Sequence, residues 1–173
     1  MGMNAEDAPL PGWLRTALIG RHPKRTMVRL AILMVVSFVL FGYLLLPIHV
    51  EGSSMLPTYK ENRVNFVNRL AYRRHEPQRA DVVAIRTTGL HIIYMKRIIG
   101  LPGETVAFHG GHAIIDGEIL NEPYVKFSCD WDLPPEALGP DEYLFVGDNR
   151  SMAPADHFKF KALRTRIVGK VLL

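Results

Sequence analysis

One cysteine, Cys129, stands in 173 residues, and it has no partner within the chain. That count excludes both a disulfide-stapled scaffold and a multi-cysteine metal site. Charge imbalance is scarce as well, once the chain is divided. Residues 1–29 carry five Lys/Arg (Arg15, Arg21, Lys24, Arg25 and Arg29) against Glu6 and Asp7, whereas residues 30–173 carry sixteen against fifteen. The basic pI is therefore largely an N-terminal property, and a nucleic-acid-binding face on the main domain is not expected. After residue 47 there is no long apolar period of 3.6 residues, no repeat and no low-complexity linker. Apolar residues, by contrast, reach 48%, which excludes a wholly disordered chain and suits roughly one domain.

Charge is missing altogether from Leu30 to Leu46, LAILMVVSFVLFGYLLL. As a helix this run is about 26 Å long, at the short end for a hydrocarbon core of about 30 Å. Met27 and Val28 extend it if Arg29 snorkels to the interface. No similarly apolar helix exists elsewhere to bury it. It is also longer than the hydrophobic region of a cleaved signal, although Val50 and Gly52 form a weak small-residue pair for cleavage. The reading is a retained single-pass anchor. The Lys/Arg cluster lies on its N-terminal side, which places residues 1–29 in the cytoplasm. The expected organisation is a basic tail over 1–29, an anchor over 30–47 and an extracytoplasmic domain over 48–173.

Beyond Pro47 the chain turns to short alternating or β-branched runs. Strands are expected over Ile48–Val50, Arg63–Asn68, Val82–Arg86, His91–Ile99, Thr105–Phe108, Ala113–Ile115, Tyr143–Val146 and Arg166–Leu172. Turn chemistry separates them, at 100–103, 109–112, 116–117 and 147–149. The stretch from Phe108 to Ala113 reads as a hairpin. Arg69–Arg74 and Pro135–Leu138 are each expected to form a helical turn at most. The fold class is mostly β: one N-terminal transmembrane helix, then a compact antiparallel sheet domain.

Three stretches carry candidate chemistry. Gly52-Ser53-Ser54-Met55-Leu56-Pro57-Thr58 places a serine in a small-residue, proline-stiffened turn shortly after the membrane segment. A serine hydroxyl needs a base to become a nucleophile, and taken alone the stretch reads as a loop. Tyr94 to Gly103 places Lys96 in an apolar strand that ends in a Gly/Pro turn. At its reference pKa a lysine is neutral in only about one molecule in 2,500 at pH 7, and burial raises that fraction. Alternation requires Lys96 or Arg97 to face outward. Phe145 to Arg150 is an Asx-rich turn after an apolar strand, in which Arg150 can pair with a carboxylate.

In order and wording the three stretches resemble bacterial type I signal peptidases, the membrane-anchored serine–lysine endopeptidases that remove signal peptides from exported preproteins. The resemblance covers the anchor and nearly all of the domain after it. It implies Ser54 as nucleophile and Lys96, in Lys96-Arg97-Ile98-Ile99-Gly100-Leu101-Pro102-Gly103, as general base. Gln78-Arg79-Ala80-Asp81-Val82-Val83 is similar to the family's Arg-Gly-Asp-Val entry, with Ala80 at the usual glycine. Gly147-Asp148-Asn149-Arg150 matches its last block. Gly52, Ser53, Ser54 and Met55 are implied in oxyanion and substrate binding, and Asp148, Asn149, Arg150 and Asp156 in support. The implied reaction is acyl transfer through an acyl-enzyme, with the Ser54 N–H stabilising the oxyanion and small substrate side chains at −1 and −3. No metal or other cofactor is implied, and the implied partners are signal peptides and membrane lipid.

The chain departs from the pattern where many relatives carry a serine and an aspartate, at Ala153 and Ala155. Asp156 and His157 follow, and the expectation is that Asp148 or Asp156 pairs with Arg150, with Ser151 or His157 at the edge of the site. Gly52 stands where some relatives have a serine. His49, His109, His112 and Cys129 are set aside as site residues, Cys129 because it lies in a polar stretch expected to be exposed. The other readings weighed are a repressor-cleaving serine–lysine peptidase, a pilus or conjugation processing peptidase, and a silent membrane-tethered β module.

Overall fold

The computed structural model describes residues 22–86, 93–157 and 161–172, with Asp156 described by its backbone only. The described part of the first unit, which ends at Gly42, is helical. Helix α1 runs Pro23–Val39 with proline in its first turn, where a missing N–H costs nothing, and a π turn carries it through Leu44. Its 22 residues are long and apolar enough to cross a membrane, and none is buried within the protein. The helix begins earlier than the uncharged run, because lysine and arginine are good helix formers. It also ends earlier. Leu45, Leu46 and Pro47, expected at the end of the anchor, open a strand instead.

The second unit, Tyr43 onward, is mostly antiparallel β. Its strands are β1 Leu45–His49, β2 Val64–Asn68, β3 Val82–Arg86, β4 Ile93–Gly100, β5 Thr105–His109, β6 His112–Ile115, β7 Glu118–Ile119, β8 Leu133–Ala137, β9 Glu142–Val146, β10 Lys161–Leu163 and β11 Ile167–Leu172. They form two sheets rather than one: β1-β2-β11-β3-β4-β9-β10 and β7-β6-β5-β8. Pro47 lies on edge strand β1, where no second partner needs its absent N–H. The expected hairpin is present, with His109 opposite His112. Gly110 and Gly111 both take positive φ (52° and 80°), the conformation a two-residue hairpin turn demands.

Three strands escape the sequence reading. β7 and β10 are two and three residues long, too short for any alternation. β8 occupies the stretch expected as a helical turn; Thr105 and Val106 of β5 supply its partners, and Leu133-Pro-Pro-Glu-Ala137 lies at the sheet edge where prolines are tolerated. The first two residues of the expected His91–Ile99 strand lie outside the described residues.

β3 and β4 form the centre of the large sheet, and both of its faces are covered. Val82, Ala84 and Met95 join Val50, Met55, Tyr59, Val67 and Val171 in one cluster. Val83, Ile85 and Ile98 join Tyr143, Phe145 and Ile167 in another. A third gathers Ile99, Val106, Phe108 and Trp131 between the sheets' elements. Strand alternation consequently exposes neither face of β4.

Candidate active site

Lys96 and Arg97 are adjacent on β4, and both are buried, at 4% and 9% exposure. The expectation that one of them faces water fails because the sheet is covered on both sides. Burial is resolved differently at each. The Arg97 guanidinium grips Asp148 through Nε (2.8 Å) and a terminal nitrogen (2.6 Å), donates to the Ala80 carbonyl (2.7 Å) and lies 4.0 Å from the centre of the Tyr124 ring. Lys96 stands opposite the fully buried Val83 and, among the described residues, forms no ion pair. Burial pushes its pKa down to about 8, opposed by the field of Asp148.

Ala80, at the family's glycine position, takes φ +70°. That left-handed turn aims its carbonyl at Arg97, at a cost of about 1–2 kcal/mol that glycine would not incur. Asp148 is fully buried and bridges two stretches of chain. Besides Arg97, it accepts a 2.6 Å hydrogen bond from the Thr58 hydroxyl, four residues after Ser54. Asn149 completes the attachment: its N–H donates to the Ser54 carbonyl (3.0 Å), and its side-chain amide donates to the Ser53 carbonyl (3.1 Å). The serine loop is thereby seated on the 147–150 turn. Glycine at 147 is a packing requirement, since a Cβ there would lie 2.2 Å from the Ser54 carbonyl oxygen and 3.0 Å from the His157 ring.

Arg150 does not pair with Asp148. Both ends of its guanidinium meet Glu122, one at 3.2 Å, and its Nε donates to the Gly147 carbonyl. Glu122 lies between strands in a sequence stretch without a motif, so nothing in the sequence marked it. The side chain of Asp156 is not among those described. Ser151 is used locally, its hydroxyl donating to Asn149. His157 is fully buried, accepts from the Gly147 N–H (3.1 Å) and meets Trp131 edge-on, with ring centres 4.8 Å apart. Burial, then the charges of Lys96 and Arg150, push its pKa down to about 3, so it stays neutral at physiological pH.

The other members of the serine stretch have separate tasks. The Gly52 N–H donates to Glu61 (3.1 Å), Ser53 donates to the Met152 sulfur (3.7 Å), and Met55 is 2% exposed in the core. Ser54 remains partly accessible beside a small cavity of about 60 Å³, whose walls include Ile48, Val50, Met55 and Met95. Among the described residues no hydrogen bond joins Ser54 to Lys96; what they share is the Gly147 turn, which touches the Ser54 carbonyl and the histidine that feels the Lys96 charge. Cys129 is half-buried rather than exposed, and burial raises its thiol pKa. Among the described residues no cluster of three or more metal-ligating side chains occurs.

Residues 24–154 match the family model described as signal peptidase, peptidase S26. A signal peptidase I of Leptolyngbya laminosa is 33% identical over 133 residues, covering 72% of this chain and 66% of that protein. A probable signal peptidase I-2 of Synechocystis sp. is 29% identical over 131 residues, covering 72% and 60%. The chain thus spans less than two thirds of the length of these two relatives. A crystal structure of a signal peptidase I from Enterococcus faecalis V583 aligns with a TM-score of 0.46 and 24% identity, covering 56% of this chain and 97% of that one.

Proposed function

The chain belongs to the signal peptidase family, peptidase S26, and from that premise we propose that it is a membrane-anchored serine endopeptidase that removes signal peptides from exported preproteins. The observation that carries this reading is the double grip of Asp148. By holding Arg97 and Thr58 at once, it ties the strand of Lys96 to the loop of Ser54. Lys96 is then the base. With a pKa of about 8, roughly one molecule in ten is neutral at pH 7, some two hundredfold more than for a solvated lysine. Neutral Lys96 takes the Ser54 proton, Ser54 attacks the scissile carbonyl, and water resolves the acyl-enzyme. Catalytic hydrogen bonds of this kind commonly tighten only when substrate is bound.

The Ser54 N–H stabilises the oxyanion; the Gly52 N–H is occupied by Glu61. The small cavity beside Ser54 suits a small substrate side chain and excludes a large one. The apolar helix tethers the domain to the plasma membrane with residues 1–29 cytoplasmic, nine residues of chain separating Leu44 from Ser54.

The test is preprotein cleavage by the detergent-solubilised full chain. Ser54→Ala should abolish turnover without unfolding. Lys96→Arg should be as inactive as Lys96→Ala, because arginine keeps the charge but cannot give up its proton. Wild-type activity should rise with pH through about 8. Near-normal turnover by Lys96→Arg would falsify the dyad.

A further inference from the structure

Between β7 and β8 the chain reads Leu120-Asn-Glu-Pro-Tyr-Val-Lys-Phe-Ser-Cys129 and belongs to neither strand. Pro123 sets its local geometry. The Val125 N–H donates to the Glu122 carbonyl at 3.1 Å, closing a four-residue turn with proline at the second position, where its fixed φ is favoured. Tyr124 occupies the third position, and its hydroxyl donates back to the Glu122 carboxylate at 2.9 Å. Ring and carboxylate are thereby held as one unit.

That unit lies across both buried ion pairs of the candidate active site. Glu122 takes both ends of the Arg150 guanidinium. The Arg97 guanidinium, bound twice by Asp148, lies 4.0 Å from the centre of the Tyr124 ring. Three residues further on, Phe127 joins Asn149 in a parallel bridge, so the stretch is fastened to the 147–150 turn at two points. An aromatic face on a guanidinium keeps water from it, and an ion pair attracts more strongly the less water reaches it. The ring therefore keeps Arg97 closed on Asp148.

Closure of that pair matters to Lys96. Around it, Arg97 and Arg150 are matched by Asp148 and Glu122, His157 is neutral, and burial holds the hydroxyls of Tyr59 and Tyr124 protonated. The field of Asp148 is the one that favours the ammonium form of Lys96. Less contact between Arg97 and water means a more fully neutralised Asp148, and so an easier loss of the Lys96 proton. We propose that Tyr124 is a positioning residue of the proton-transfer step: stacked on Arg97 and tied through Glu122 to Arg150, it holds Asp148 in its ion pair and away from Lys96. The inference rests on Lys96 being the base, and Tyr124 acts through Arg97 and Asp148 rather than on the reacting atoms.

The experiment reads two titrations on the detergent-solubilised full chain. One is preprotein turnover against pH. The other is the NMR signal of the Lys96 Cε in a Ser54→Ala background, identified by its loss in Lys96→Met. Tyr124→Leu removes the aromatic face, and both midpoints should rise from about 8 to about 9, with turnover about tenfold lower at pH 7. Tyr124→Phe keeps the face and should keep the wild-type midpoint. Val106→Ala opens the core under the small sheet and should lower Tm without moving either midpoint. Unmoved midpoints in Tyr124→Leu, with Lys96→Arg inactive, would overturn the inference and leave the peptidase reading standing. The same rise in Tyr124→Phe or in Val106→Ala would overturn it too, since the ring on Arg97 would then not set the midpoint. Turnover that persists in Lys96→Arg would instead sink the reading, and the inference with it. Should Tyr124→Leu fail to fold, Tyr124→Met, an unbranched gap-filling side chain without a π face, gives the same readings.

Discussion

At Lys96, burial leaves an ammonium whose nearest carboxylate is already gripped by Arg97, and the consequence is measurable in stability. The folded pKa is about 8 and the unfolded value 10.5. Below pH 8 both states carry the proton, and the folded state bears the whole cost of the buried charge. Between those two values the unfolded state binds more protons, so stability rises with pH. Lys96→Met should accordingly be more stable than the wild type at pH 7, by on the order of 3 kcal/mol, and the gap should close as pH rises from 8 to 10.5. Denaturant unfolding of both proteins at pH 7 and pH 10 checks it; a gap independent of pH would mean that Lys96 is solvated. Lys96 was legible as a residue because a lysine amid apolar neighbours in a strand is unusual. Its burial was not, since alternation along one strand cannot report that both faces of the sheet are covered.

At the scale of elements, the 147–150 turn joins β4 to the serine loop. Asp148 carries this junction: it is fully buried, bound twice by Arg97 and once by Thr58. Removing one member of a buried ion pair strands the other, typically at about 3–5 kcal/mol. Asp148→Ala should lose stability on that scale and activity with it. The Asp148→Ala/Arg97→Met double variant should regain part of the stability, because no unpaired charge remains. Thermal melts of the two single variants and the double variant decide it, and strictly additive losses would show that the pair is not coupled. The block itself was readable from its residue types, but its pairing was not. Asp148 and Arg150 are two positions apart, and the sequence invites joining them. The fold sends them to different partners, Arg97 some fifty residues earlier and Glu122 in an unmarked stretch.

For the whole molecule, the prediction concerns orientation in the membrane. The Lys/Arg cluster precedes the apolar segment, so the β domain from Leu45 onward should lie outside the cell. Protease added to intact spheroplasts should digest the β domain and leave only a short helix-bearing fragment. A fully protected domain would place the serine loop on the wrong side for exported substrates.

What the sequence determined by itself was whatever depends on short spacing: the uncharged run that makes a membrane-length helix, the alternating strands β2, β3, β5 and β9, and the Gly-Gly hairpin. The tertiary structure alone decided whatever depends on pairing across distance. It split the strands into two sheets, turned Leu45–Pro47 from helix into an edge strand by setting them against β2, and made a strand of the proline-containing β8 through its partner β5. It also matched the buried Arg97 with Asp148 and the buried Arg150 with Glu122. The physical reason is the same throughout. Propensity and periodicity act over a few residues, whereas a ladder hydrogen bond or a buried ion pair forms only with whatever group the fold sets opposite it.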